Sequence, residues 1–158
     1  MMHNYHFCAL IMTAVPLSCA HPSAPRQERP VITSEAPYPV PEFSEWSGSF
    51  EDTLASVKDA GHDKAVIMIL LSGCEPCDAV VLFWRGSGGA PVPVYVVDAE
   101  RVPPQTVAGK VPFKEVPGLV PACFFVEHGI VRGMGAGFRN CTEGVLQWDG
   151  TKQEQSET

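Results

Sequence analysis

Two cysteines separated by two residues, Cys74 and Cys77, are the residues whose type and spacing most clearly indicate chemistry. Cysteine thiolates attack disulfides, and they also bind soft metal ions. Two intervening residues allow both sulfurs to meet within one helical turn. The C-x-x-C spacing therefore predicts either a dithiol that opens and closes a disulfide or half of a metal site.

The segments on either side predict where this pair lies. Residues 65–71 form a short, continuous apolar run rich in Val and Ile, which predicts a buried strand, and residues 79–84 predict a short helix. The cysteines then lie where a strand turns into a helix, and the free N–H groups and positive dipole end there stabilise a thiolate. We predict that Cys74 is the attacking sulfur and that Cys77 is the resolving one.

The rest of the chain supplies a pattern that resembles the thioredoxin superfamily. A second strand is predicted at 94–98, and residues 116–131 look like the family segment with a cis-proline, a strand, a tight turn and a last strand. Val120-Pro121 matches the Ile-Pro position of that segment. The resemblance covers about residues 48–149, including the motif Cys74-Glu75-Pro76-Cys77. It implies an α/β, thioredoxin-like fold, in which helices flank a central four-stranded mixed sheet, and a protein thiol–disulfide oxidoreductase.

The resemblance also implies a substrate site around the cysteines. A cis Pro121 would pack against the cysteine pair, and the backbone of Val120 would hold a substrate strand by β-augmentation. Gly73, Glu75 and Pro76, which surround the attacking sulfur in the sequence, complete the expected substrate-binding set. The expected partner is a protein bearing a disulfide or dithiol, with no cofactor and no bound metal.

Three positions depart from the thioredoxin pattern. Thioredoxins carry a buried acid where this chain has Met68, a Trp where it has Gly73 and a Lys where it has Asp78. Proton transfer for the resolving thiol is therefore unassigned, and a specialised partner is favoured over broad substrate use. Pro76 lacks an N–H and Glu75 adds negative charge, so the thiolate is stabilised only weakly. We accordingly predict reduction or isomerisation of disulfides instead of oxidation.

Two further cysteines of the domain, Cys123 and Cys141, leave two interpretations open. In an oxidising compartment they could form a second disulfide, or they could be two separate small buried residues. Two other functions also compete with the redox one. A metal-binding module would need a third ligand from His62, His128 or Met68, and a thioredoxin-fold scaffold or assembly factor would need no catalytic cysteine.

The N-terminal region predicts export. Residues 1–20 read as a signal peptide ending in Ser18-Cys19-Ala20, and Cys19 could instead be lipidated as in a lipoprotein. A mis-assigned start followed by a cytosolic tail is the third reading. Export places the domain in the periplasm or otherwise outside the cytosol, either free or tethered to the membrane through Cys19.

Residues 21–41 are rich in Pro, which predicts a disordered tether. The predicted domain is 42–150, followed by a polar tail at 151–158.

Composition and local signals complete the expectations. A formal net charge of −7 argues against a nucleic-acid partner and an anionic membrane surface. The length of 158 residues predicts one domain, and we expect a monomer. A helix is predicted over 49–60, with Ser49 as its N-cap and Gly61 at its end. A loop is predicted at 85–89, and a turn or short helix at 105–108. The chain then forms a strand hairpin over 122–127 and 130–134 and ends in a last helix at 138–148.

Overall fold

A computed structural model describes residues 37–149, and its centre is a four-stranded mixed sheet. The strands are β1 (Lys64–Leu70), β2 (Val94–Asp98), β3 (Ala122–Glu127) and β4 (Ile130–Ala136), in the spatial order β2-β1-β3-β4. β1 runs parallel to β2 and antiparallel to β3, and β3 runs antiparallel to β4. Helices cover both faces, so the α/β, thioredoxin-like fold class expected from the sequence is confirmed.

β1 is the buried centre of this sheet. All six residues from Ala65 to Leu70 have no exposed surface, as the continuous apolar run predicted. Successive side chains of a strand point to opposite faces. Met68 therefore joins the cluster on one face, and Ile67 joins the cluster on the other. A strand with two buried faces fixes the point at which the chain leaves the sheet toward Cys74.

One helix covers the face that carries Ile67, and two helices cover the face that carries Met68. α1 (Phe50–Asp59) begins where the Ser49 hydroxyl accepts a hydrogen bond from the Asp52 N–H at 3.1 Å, and Gly61 follows it with a φ of 69°, as predicted. α2 (Glu75–Gly86) and α3 (Val145–Asp149) share the opposite face with Met68. Short 3₁₀ helices lie at Phe43–Glu45 and Pro104–Val107.

Three element boundaries differ from the sequence-based prediction. α2 begins at Glu75 and continues through Gly86, so the helix expected over 79–84 is longer and the loop expected at 85–89 is shorter. The Ser87 hydroxyl donates to the Phe83 carbonyl at 2.9 Å, which satisfies an acceptor at the end of the last turn. β4 extends to Ala136 instead of 134, because Ala136 still pairs with Ala122.

The predicted last helix is not one regular α-helix. Its first part, Asn140–Gly144, is a π-helical turn, and α3 follows directly from Val145. The Thr142 hydroxyl donates to the Phe138 carbonyl at 2.8 Å, and the Asn140 side chain donates to the Ala136 carbonyl at 2.7 Å. These side chains occupy carbonyls that a regular helix would use for its backbone bonds, and the backbone spacing widens there.

The N-terminal edge of the domain lies before residue 42. Tyr38 exchanges two backbone hydrogen bonds with Ala90, both 2.8 Å long, and Val40 is buried. Residues 38–40 therefore pack on the domain, although their Pro-rich composition predicted a tether up to residue 41. The predicted signal peptide at 1–20, Cys19, most of the predicted tether and the tail 151–158 lie outside the described residues. Within residues 37–149, no helix has the length and apolar character needed to cross a bilayer.

Candidate active site

The two cysteines lie at the junction of β1 and α2, where the sequence predicted them. Between the strand and the helix the chain turns at Gly73, whose φ of 73° suits a residue without a Cβ. Cys74 is the N-cap of α2, with extended backbone, and Cys77 lies in the first turn. The N–H groups of Cys77 and Asp78 both donate to the Cys74 carbonyl at 2.9 Å, which closes that turn and fixes the cysteines on one side of it.

The two thiols are in direct contact and differ sharply in exposure. The Cys77 thiol donates a hydrogen bond to Cys74 Sγ, with the sulfurs 2.7 Å apart. Cys74 is half-buried, whereas Cys77 has no exposed surface. Both are free thiols in this structure. One sulfur can therefore meet a partner from solvent, and the other can reach only the first sulfur.

The environment of Cys77 keeps its thiol protonated. The pKa of Cys77 is raised to about 12. Burial is the largest cause, and the hydrogen bond to Cys74 is the second. A backbone hydrogen bond from Leu71 lowers it, while the negative charges of Cys74 and Asp78 raise it. The thiolate form of Cys77 is consequently scarce near neutral pH. The position of β1 where thioredoxins carry a buried acid is occupied by Met68, so no carboxyl there can accept the proton of Cys77.

The residues expected to bind substrate occupy the surface around Cys74. Gly73, Glu75 and Pro76 are exposed and form a rim beside the half-buried Cys74 sulfur. Pro76 occupies the second position of α2, where a missing N–H leaves no helical hydrogen bond unmade. Glu75 places a carboxylate at the mouth of the site, so the rim is acidic.

The Val120–Pro121 segment reaches the same end of the sheet. Its peptide bond is cis, as the resemblance implied, and Ala122 pairs with Ile69 near the end of β1. Because β1 leads to Cys74 within five residues, Pro121 lies at the edge that carries the cysteines. The Pro121 carbonyl accepts a hydrogen bond from the Gly137 N–H at 2.8 Å. Among the described residues, no hydrogen bond uses the Val120 N–H or carbonyl.

Two features of this region had no signal that singled them out in the sequence. Leu119, next to Val120, is 75% exposed, so its side chain is open to a partner that binds beside Val120. Behind the site, Cys123 and Cys141 are both buried, and the Cys123 thiol donates a hydrogen bond to the Gly135 carbonyl at 3.5 Å. The sequence left open whether these two cysteines form a disulfide, and both are free thiols in this structure.

The candidate metal ligands are not brought together. His128 lies in the hairpin turn with a φ of 49°, and its N–H donates to the Asp63 carbonyl just before β1 begins. His62 lies at that same end of β1, opposite the end that leads to Cys74. Met68 is buried on the sheet. Within residues 37–149, no group of three or more His, Cys, Asp or Glu side chains could hold a metal ion.

Comparisons with known proteins found similar solved structures at low sequence identity. No protein-family model and no curated protein matches it. Spinach chloroplast thioredoxin f aligns at 18% identity, covering 72% of this chain and 93% of that one, with a TM-score of 0.44. A Malassezia sympodialis thioredoxin aligns at 17% identity, covering 65% and 90%, with a TM-score of 0.47. A Trypanosoma brucei brucei thioredoxin aligns at 15%, covering 76% and 94%, with a TM-score of 0.46. The fold assignment accordingly rests on the sheet topology described above.

Proposed function

We propose that this protein is a thiol–disulfide oxidoreductase that reduces or isomerises a disulfide of a partner protein through Cys74 and Cys77. The observation that carries the proposal is the pairing of a half-buried Cys74 with a fully buried Cys77 at 2.7 Å, at a strand–helix junction. This arrangement gives the two thiols separate roles, because only Cys74 can meet a substrate.

The first step joins the enzyme to its substrate. The Cys74 thiolate attacks one sulfur of the substrate disulfide, an S–S bond forms between them, and the second substrate sulfur leaves as a thiolate that takes up a proton. In the second step Cys77 loses its proton and attacks Cys74 Sγ. The Cys74–Cys77 disulfide forms, and the first substrate sulfur leaves as a thiolate. The substrate gains two electrons, and the cysteine pair loses two.

The buried resolving thiol makes the second step slow. Attack by Cys77 requires its thiolate, and a pKa of about 12 keeps that form rare at neutral pH. A mixed disulfide with Cys74 therefore persists. During that time another thiol of the same substrate can attack its own sulfur and leave with a rearranged disulfide. Slow resolution thus favours isomerisation, or reduction of a partner that is held in place, over rapid general reduction.

The surroundings of Cys74 favour an extended substrate segment. The Val120 backbone groups make no hydrogen bond within residues 37–149, so they can bond a substrate strand, and exposed Leu119 beside them offers an apolar contact. The Glu75 carboxylate repels acidic side chains near the substrate cysteine. We expect the preferred partner to carry its disulfide in an extended, non-acidic segment with an apolar side chain nearby.

The test uses the full chain and a disulfide-bonded protein substrate, with dithiothreitol as the electron donor. Cys74→Ser should abolish the exchange, and Cys77→Ser should accumulate a mixed disulfide that is detected by intact mass. Ser72→Ala, an exposed change beside the site that keeps both thiols, is the matched control and should retain activity. Exchange that survives Cys74→Ser would refute the proposal and leave the scaffold interpretation.

We also propose that this chemistry takes place outside the cytosol, because a disulfide-bearing partner persists in an oxidising compartment. Export would depend on residues 1–20. The mass of the mature chain tests this: removal of residues up to Ala20, or a lipid on Cys19, supports export in its free or tethered form. A chain that retains its N-terminal residues and stays in the cytosol would contradict it. Size measurement of the purified chain tests the expected monomer.

A further inference from the structure

The outer face of α2 is apolar beyond its first turn. Leu82 is 66% exposed and Phe83 is half-buried. The next charged residue after Asp78 along the helix is Arg85, which already forms an ion pair with Glu42 at 2.9 Å. A helix at a protein surface usually turns charged and polar side chains to the solvent. The middle turns of α2 present apolar side chains there instead.

The other long helix of the domain follows the usual pattern. The exposed residues of α1 include Glu51, Asp52, Lys58 and Asp59, so charged side chains lie along its whole outer face. The two helices cover opposite faces of one sheet and are of similar length. The apolar outer face of α2 is therefore not a general property of the helices in this domain.

A neighbouring aromatic ring extends the apolar face of α2. The Phe83 and Phe138 rings meet edge to face with their centroids 5.9 Å apart, and Phe138 is 39% exposed. Gly137, the residue before Phe138, donates its N–H to the Pro121 carbonyl at 2.8 Å. Phe138 thus connects α2 to the cis-proline segment. The α2 apolar surface is defined by Ala79, Leu82, Phe83 and Phe138.

The α2 apolar surface is continuous with the rim of the active site. Residues three and four apart on a helix are neighbours on its surface, so Pro76, Ala79 and Leu82 form one strip. Pro76 is exposed and belongs to the rim beside Cys74. At a rise of about 1.5 Å per residue, Leu82 lies about 12 Å along the helix from Cys74. A partner that is bonded to Cys74 can therefore cover the strip at the same time.

Two carboxylates indicate the charge of such a partner. Glu75 and Asp78 lie one helical turn apart beside the strip, and both are exposed. Within residues 37–149, neither carboxylate forms an ion pair. A basic side chain of a partner can pair with these carboxylates, whereas an acidic one would be repelled. The charge at this end of the strip is therefore complementary to a basic segment.

We propose that the α2 apolar surface is a docking surface for the disulfide-bearing partner protein. The partner covers the surface with an apolar side chain and places a basic side chain opposite Glu75 and Asp78. The proposal rests on the redox function proposed for Cys74 and Cys77, because the mixed disulfide is the bond that brings the partner to this surface.

The positions along α2 predict the spacing of these side chains in the partner. Asp78 lies about 6 Å and Leu82 about 12 Å along the helix from Cys74. An extended chain advances about 3.3 Å per residue. The basic side chain should therefore lie about two residues from the reactive cysteine of the partner, and the apolar side chain about four.

The test uses the full chain and synthetic peptides in which a single cysteine is disulfide-bonded to nitrothiobenzoate. When the Cys74 thiolate attacks the peptide sulfur, an S–S bond forms between them and nitrothiobenzoate leaves as a coloured thiolate. Its absorbance gives the second-order rate constant. One peptide carries Arg two residues and Leu four residues from the cysteine on each side. Its matched controls replace Leu by Ser or Arg by Glu.

We expect the wild type to react about fivefold faster with the Leu peptide than with its Ser control, which corresponds to partial burial of a leucine. The Arg peptide should also react faster than its Glu control. Leu82→Ala and Phe138→Ala should each lower the Leu-to-Ser ratio toward one. Ile130→Ala is the matched control and should keep the ratio, because Ile130 is exposed and apolar but lies at the hairpin end of β4, away from the cysteines.

Equal rates for the Leu and Ser peptides, or a ratio that Leu82→Ala does not change, would overturn the inference and leave the redox function intact. Release of nitrothiobenzoate from none of the peptides would refute the redox function itself. A dimer that dissociates in Leu82→Ala, or a preference that appears only after removal of residues 1–36, would also overturn the inference. In those cases a second copy or the N-terminal segment occupies the surface. Each ratio comes from one protein sample, so partial unfolding of a variant lowers both rates equally.

Discussion

The burial of Cys77 leads to a quantitative expectation for the step that releases the substrate. In water a thiol with a pKa of 9.0 has about 1% thiolate at pH 7, whereas one with a pKa of about 12 has about a thousandfold less. A more basic thiolate is also a stronger nucleophile. With a Brønsted coefficient of about 0.4 to 0.5, a rise of three in pKa increases its reactivity by roughly 16- to 32-fold. Closure of the Cys74–Cys77 disulfide should therefore be roughly 30- to 60-fold slower at neutral pH than with an ordinary thiol.

In the mixed disulfide two contributions to the pKa of Cys77 are lost. Cys74 then carries no thiol, so its hydrogen bond and its charge no longer raise the pKa of Cys77. Burial, the largest cause, remains, and the Asp78 charge also remains. The pKa during closure accordingly lies between 9.0 and about 12, and the slowing calculated above is an upper limit.

The assay isolates the mixed disulfide of Cys74 with glutathione at low pH and then raises the pH in a stopped-flow instrument. The closure rate should rise tenfold per pH unit from about pH 6 and continue to rise beyond pH 9. Ser72→Ala is the control and should show the same profile. A rate that levels off at or below about pH 9 would show that Cys77 ionises as an ordinary thiol and would refute the reasoning from burial.

The same burial predicts how stability depends on pH in the reduced protein. The folded-state pKa of Cys77, about 12, lies above its unfolded value near 9.0, so the folded protein holds this proton more tightly. The stabilisation is therefore fully present below about pH 9 and is lost as the pH rises toward 12. Urea unfolding at about pH 8 and pH 10 should show a larger loss in the wild type than in Cys77→Ala. Equal losses would contradict the assignment of the proton to Cys77.

Three glycine substitutions test how closely the backbone packs at β4 and at the end of α2. Gly135→Ala should destabilise the protein by about 1 to 3 kcal/mol, because its Cβ would lie 2.7 Å from that of Asn140. Gly118→Ala, with no atom within 4 Å of the added Cβ, is its control and should change the free energy of unfolding by less than about 0.5 kcal/mol. Gly86→Ala, in the last turn of α2 and equally unobstructed, should stabilise the protein by up to about 1 kcal/mol. Urea unfolding of the full chain measures all three, and equal stability of Gly135→Ala and Gly118→Ala would contradict the close approach.

Much of this fold follows from local sequence patterns. The apolar run leading to Cys74, the cap at Ser49 and the glycine at 61 each act through neighbouring residues, so the strand, the helix start and the helix end could be predicted from their types and spacing. The position of the two active-site cysteines at a strand–helix junction follows in the same way. The hairpin at residues 128–129 could also be predicted, because a turn depends on only a few consecutive residues.

The tertiary structure decided what depends on residues far apart in the chain. The last helical segment approaches β4 closely because residue 135 is a glycine, and no local pattern records that distance. The pKa of Cys77 depends on the helices and strands that exclude water from its sulfur, since desolvation is a property of the packed core. The sequence by itself determined which residues could do redox chemistry and where the chain turns. Only packing decided which thiol of the pair is accessible and which one stays protonated.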